Sequence, residues 1–182
     1  LSWGEAHPLI SGRLRAYAKY AADGDRVHVA YTDGHPQNED RNGIWYAFHR
    51  GGRLYASEGR ALGREPEVES GEVVYDGSLG PAWVWDVAPG PVIVYAVMPF
   101  DPRVRFGEGH HYRYARWNGT SWDDHRIVES GGPIVERAPH EAYYSGGVAL
   151  DHSDPSVVYL SRPVSGVFEI ERWVTADGGS TW

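Results

Sequence analysis

Apolar and polar residues alternate along this chain with a period of two far more often than with the three-to-four spacing of a helix. Three stretches show it most clearly: "KYAADGDRVHVAYTD" (Lys19 to Asp33), "WDVAPGPVIVYAVMP" (Trp85 to Pro99) and "VALDHSDPSVVYLSR" (Val148 to Arg162). Each reads as a strand, a bend rich in Gly, Pro or Asp, and a second strand that ends in an aromatic run. Tyr31, Tyr95 and Tyr159 recur at an interval of 64 residues, which predicts equivalent positions in three repeats. Each repeat continues into a second hairpin: "GIWYAFHRGGRLYAS", "HHYRYARWNGTSWDDHRIV" and "GVFEIERWVTADGGSTW". Their β-branched and aromatic content favours strands, with Gly or Asn-Gly at the bends. No convincing amphipathic helix interrupts the pattern.

The repeating unit is therefore four antiparallel strands, A to D. Its length lies somewhat above the roughly 40 to 50 residues of a propeller blade. The expected fold class is all-β: a partial β-propeller of four-stranded antiparallel blades, about three of them. A single domain spans 1–182, with repeats at approximately 4–55, 56–122 and 123–182. Trp3, Tyr55, Trp122 and Trp182 mark equivalent points at the exits of the C to D bends. On this reading the N-terminal "LSWGEAHPLI" is a D strand and the C terminus stops at a bend. The missing blades are then supplied by the rest of a longer chain or by another copy.

Composition narrows the function. The 182 residues carry a formal net charge of -8 and one lysine, Lys19, so no basic face suited to nucleic acid is expected. No run approaches the roughly 20 apolar residues of a membrane-spanning helix. The absence of cysteine removes disulfides and thiolate metal sites and leaves the compartment open.

The last residues, "TADGGSTW", match the pattern S/T-x-D-x-G-x-T-W through Thr175, Asp177, Gly179, Thr181 and Trp182. Its logic is structural: Asp177 accepts backbone N–H groups across the bend, Gly179 takes a positive φ and Trp182 packs beneath the hairpin. In the second repeat "WNGTSW" keeps Gly119 and Trp122 but lacks the Asp, and "RGGRLY" keeps only the glycines. Together with "YTDGHPQN", "AWVWDV" and "YYSGGVALDHSDPSVVYLSR", this Asp-box makes the chain resemble the BNR-repeat, sialidase-like β-propellers. More narrowly it resembles the BNR-4 group, to which propeller polysaccharide lyases such as ulvan lyases are similar. The resemblance implies a carbohydrate-active protein, secreted or periplasmic, whose partner is a polysaccharide or oligosaccharide. It implies no required cofactor and leaves a structural divalent metal open.

Loop lengths indicate which end of the sheets was elaborated. The A to B and C to D bends are short. The opposite connections, "DGHPQNEDRNG", "MPFDPRVRFGEGHH", "SEGRALGREPEVESGEVVYDGSLGPA" and "ESGGPIVERAPHEAYYSGG", are long, and function concentrates on such loops. Candidate catalytic residues there are His35, Arg113, His140, Tyr143 and Tyr144. Candidate substrate-binding residues are Arg103, Arg105, His110 and His111. A lyase acting on uronate sugars needs a cation to neutralise the carboxylate, a base and an acid. Arg113 suits the first, His35 or His140 the second, and Tyr143 or Tyr144 the third. A sialidase-like hydrolase and a non-catalytic glycan- or protein-binding module are the alternatives. Trp83 and Trp85 share a strand face and are expected to pack between repeats.

Overall fold

The computed structural model describes residues 4–12, 14–99, 109–131 and 143–182. Among them the chain forms three antiparallel sheets and no α-helix. The first sheet holds β1 (Ala18–Asp23), β2 (Arg26–Thr32), β3 (Ile44–Arg50), β4 (Arg53–Tyr55), β5 (Ala61–Gly63) and β6 (Glu72–Tyr75). The second holds β7 (Ala82–Ala88), β8 (Val92–Val97), β9 (His111–Trp117) and β10 (Trp122–Glu129). The third holds β11 (Val148–Leu150), β12 (Val157–Val164) and β13 (Val167–Val174). Among the described residues no sheet closes on itself, and no helix is long and apolar enough to cross a membrane.

Alternation decides how the sheets stack. On β8, Ile93, Tyr95 and Val97 turn to the first sheet, where they meet Ala30, Tyr46 and Phe48. Val92, Val94 and Ala96 turn to the third, where they meet Val148, Leu150, Val158 and Leu160. Every residue of β8 is buried, so this strand is apolar on both faces and shows no polar alternation. Burying each such side chain contributes roughly 1.5–3 kcal/mol, which makes the two sheet junctions the main source of stability.

Two expectations need correction. Tyr31 and Tyr95 are buried at 2% and 0% exposure, but Tyr159 is 41% exposed. In the third sheet Val158 and Leu160 take the inward positions, so Tyr159 points away from the second sheet. The 64-residue interval is thus off by one residue in the third repeat, and with a period of two that reverses the face. The segment "SEGRALGREPEVESGEVVYDGSLGPA" is likewise no simple connection. β4 pairs with the Phe48–Arg50 end of β3 and β6 with its Ile44–Tyr46 end, so one strand position is filled in two pieces. The residues between them make β5 and a single 3₁₀ turn, Val68–Ser70, and lie over the outer face of the first sheet. Ser11 exchanges backbone bonds with Pro66 and Val68 there, and the Tyr31 hydroxyl donates to the Val68 carbonyl at 3.1 Å. Only 76–81 remain as the link to β7.

The sheets are also clasped by aromatic rings in a repeated way. Trp122 of the second sheet meets Tyr46 of the first at 5.2 Å and 65°. Trp182, after the third sheet, meets Tyr114 of the second at 5.2 Å and 77°. Each indole follows a bend held by a side chain. At the C-terminal bend Asp177 accepts the N–H (2.9 Å) and the hydroxyl of Thr181, and the Thr175 hydroxyl donates to Asp177 and accepts Gly179 N–H, both at 2.8 Å. At the other, Asn118 does this work: its Oδ1 accepts the N–H groups of Thr120 and Ser121, both at 2.9 Å.

Gly179 has φ +102°, and a Cβ there would come within 2.6 Å of the Tyr114 ring. Gly179→Ala is therefore expected to cost about 2 kcal/mol from backbone strain and displacement of Tyr114, lowering the thermal midpoint by roughly 4–8 °C. Calorimetry checks this, and a midpoint within 1 °C or so of the parent would contradict it.

Candidate functional site

β2, β6 and β10 run toward one end of the stack, and β3, β7 and β11 start from it. The loop after β2 is held there by its own polar side chains. The Thr32 hydroxyl accepts Tyr17 N–H at 3.0 Å and donates to the Gly34 carbonyl at 2.8 Å. Asp33 accepts Gly43 N–H at 2.6 Å and the Trp45 indole N–H at 2.8 Å. Asn42, fully buried, joins the loop to the next sheet. Its Oδ1 accepts Gly34 N–H at 2.8 Å, its Nδ2 donates to the Ala82 carbonyl at 2.7 Å and its own carbonyl accepts Ala82 N–H at 2.8 Å. One residue beyond these anchors stand His35 and Trp83.

Their rings meet edge to face at 4.9 Å and 86°. Tyr17 lies 4.7 Å from Trp83 and 5.5 Å from His35, and Tyr144 lies 5.0 Å from Trp83. Four rings from different parts of the sequence thus make an aromatic cluster at the mouth of the three sheets. Trp83, 9% exposed, is the buried centre of this cluster, and the half-buried rings of Tyr17, His35 and Tyr144 form its surface.

His35 has a defined proton arrangement. Its Nδ1 accepts Gln37 N–H at 3.1 Å, so the neutral ring carries its proton on Nε2. Burial lowers its pKa below the usual histidine value, which keeps this neutral form at pH 7. The ring is a donor through Nε2–H, and its lone pair is already engaged.

The remaining candidates are dispersed. Arg113 sits in the middle of β9 beside Tyr95, 13% exposed, with Nε 3.1 Å from both carboxylate oxygens of Asp124 and Nη2 at 2.9 Å. Its guanidinium is engaged between the first two sheets and does not face the ring cluster as a vacant carboxylate receptor. His110 and His111 are 4% and 5% exposed, and burial pushes both pKa values down to about 4. His111 Nδ1 donates to the Gly109 carbonyl at 3.0 Å, and His110 Nδ1 has no hydrogen-bond partner among the described residues. Neither ring makes an aromatic contact with the cluster among the described residues. Tyr143 adjoins Tyr144 and is half-buried like it. Arg103, Arg105, His140 and Trp3 lie outside the described residues. Among the described residues no three His, Cys, Asp or Glu side chains group as metal ligands would.

Sequence reasoning missed Tyr17, Asn42 and the role of Trp83. Trp83 pairs with Ala96, which turns to the third sheet, so it shares a face with Trp85 as alternation predicts; the register shift between Val84 and Asp86 reverses only the residues that follow, returning Val87 to the first-sheet side. Trp85 packs with the cluster joining the second and third sheets, whereas Trp83 reaches the mouth.

An all-β stack with an aromatic cluster at the loop end defines a class of scaffold rather than a reaction. Residues 2–130, covering the first two sheets, match the family model described as BNR repeat-containing family member, and the chain belongs to that family. No curated protein matches the chain.

Two outcomes follow from this geometry. Asn42→Ala leaves Gly34 N–H and the Ala82 carbonyl without side-chain partners and is expected to cost about 2–3 kcal/mol in a urea titration; a loss below 0.5 kcal/mol or so would contradict it. Second, unfolded histidine binds its proton near pH 6.5, whereas folded His110 and His111 stay neutral down to about pH 4. The unfolded state binds more protons in that window, so stability is unaffected above pH 6.5 and falls as pH drops toward 4, by roughly 3 kcal/mol per ring. The difference in unfolding free energy between pH 7 and pH 4.5 is expected to shrink in His110→Gln, and an unchanged difference would refute the assignment.

Proposed function

We propose that this chain belongs to a carbohydrate-active β-propeller in which its three sheets are consecutive blades, and that the parent protein is lyase-like, acting on uronate-containing polysaccharide outside the cytoplasm. The observation that carries the reading is the Tyr17, His35, Trp83 and Tyr144 cluster at the mouth where the sheets meet. A sugar stacks on the half-buried rings of Tyr17 or Tyr144, which the buried Trp83 backs, and His35 donates from Nε2 to a hydroxyl or carboxylate oxygen. In β-elimination a base removes the C5 proton and an acid protonates the leaving oxygen. Tyr144, 5.0 Å from Trp83, is assigned the acid role, with Tyr143 and His140 as its sequence neighbours. Because Arg113 is held by Asp124, the neutralising cation is assigned to Arg103 or Arg105.

A second reading, a non-catalytic glycan-binding module, is favoured by two specific observations: the Arg113 pairing and the engaged lone pair of His35. One experiment separates them. Uronate polysaccharides are incubated with the protein, and the ultraviolet absorbance of unsaturated ends is followed. A lyase gives a rising signal that Tyr144→Phe reduces by about 10²-fold or more with binding retained, the magnitude of a lost general acid or base. Absence of new absorbance with every uronate polymer overturns the lyase reading. Binding that survives and is weakened by Trp83→Ala then supports the module.

A further inference from the structure

A groove of about 660 Å³ lies at the opposite end of the first two sheets, between β6 and the turn that joins β9 to β10. Its walls include Glu58, Glu72 and Val73 on one side and Trp117, Thr120 and Trp122 on the other. β9 spans seven residues from His111 to this turn, so the groove is about 20 Å from the aromatic cluster at the mouth.

The two indoles are cross-strand partners, with rings 5.9 Å apart at 60°. Trp122 is tied into the sheet junction through Tyr46, but Trp117 belongs to no core cluster and stands half-buried on the groove wall. An indole placed this way stabilises the fold little and leaves an apolar face for a ligand. Facing it, Glu72 is fixed by Ser57 N–H at 2.8 Å and Glu58 by Arg60 at 3.0 Å. Asn118 holds the turn from within through bonds to Thr120, Ser121 and Asp123, so the wall is ordered before anything binds.

We infer that this groove is a second saccharide-binding site, selective for neutral sugars, distinct from the cluster at the mouth. Trp117 takes the C–H face of a pyranose ring, and the carboxylates of Glu58 and Glu72 accept its vicinal hydroxyls. Glu72 disfavours an acidic sugar, because a second carboxylate beside it is repelled, and the more strongly where the walls exclude water. A lysine- or arginine-rich peptide fits less well, because Arg60 already balances Glu58. The ligand class rests on the carbohydrate-active reading above, but the site does not depend on the chemistry assigned to the mouth.

Native electrophoresis in gels cast with neutral galactomannan, neutral mixed-linkage β-glucan, polygalacturonate or polylysine tests it. Retardation by a neutral polymer is expected, weakened at least fivefold by Trp117→Ala and by Thr120→Arg, which fills the groove from an exposed turn position. Trp83→Ala should stay within about twofold of the parent. Circular dichroism identifies any variant that fails to fold, and Thr120→Arg keeps the test open if Trp117→Ala does. No retardation by either neutral polymer, retardation unchanged in Thr120→Arg, loss only in Trp83→Ala, or retention by polylysine alone would each overturn the proposal. Failure of the lyase reading shows instead as missing unsaturated product, with mobility in the neutral gels unaffected.

Discussion

Everything in this molecule depends on apolar sheet faces being pressed together, with β8 buried on both sides between its neighbours. Packed sheets stand about 10 Å apart, so loops leaving adjacent sheets at the same end come within reach of one another. That is why His35, Trp83 and Tyr144, far apart in sequence, meet in one cluster. The mouth is a by-product of the stacking, and any change in how the sheets seat would separate its rings.

Polar groups make the stacking specific. Asp86 of the second sheet accepts Leu150 N–H at 3.0 Å and lies 3.1 Å from the His152 ring, both from the third-sheet side. The Tyr112 hydroxyl donates to the Ser161 carbonyl at 2.9 Å and accepts Gly147 N–H at 2.7 Å. Asn42 does the corresponding work between the first and second sheets. Apolar faces alone tolerate sliding, whereas a buried donor or acceptor left unmatched costs about 1–3 kcal/mol, so these bonds select one seating.

Much of the architecture was legible because strand periodicity is a local property. The hairpins around Gly24, Gly90 and Asn118 follow directly from alternation and turn residues. What failed depended on non-local choices. Tyr159 looks equivalent to Tyr95, yet the face a strand turns inward is set by which neighbours it must pack against. β6 was taken for loop because the break that separates it from β4 is filled by residues covering a different face. In the site, His35 and Tyr144 were visible as unusual polar and aromatic residues on long loops. Trp83 was read only as packing between repeats because its ring partners Tyr17, His35 and Tyr144 lie far from it in sequence, and Arg113 misled because its Asp124 partner lies across a hairpin. Asn42 looked like any loop asparagine, since its importance lies in an acceptor 40 residues away.

The meander order of the strands has a consequence for how such a chain reaches its final shape. Neighbouring strands in each sheet are mostly neighbours in sequence, so their pairing closes loops much shorter than the separations between sheets, at smaller entropic cost. The bond from Asp86 to Leu150 spans 64 residues and is worth nothing until two sheets already exist. Assembly is therefore hierarchical: local ribbons are quick to form and individually weak, and the late docking of one against the next is what makes them persist.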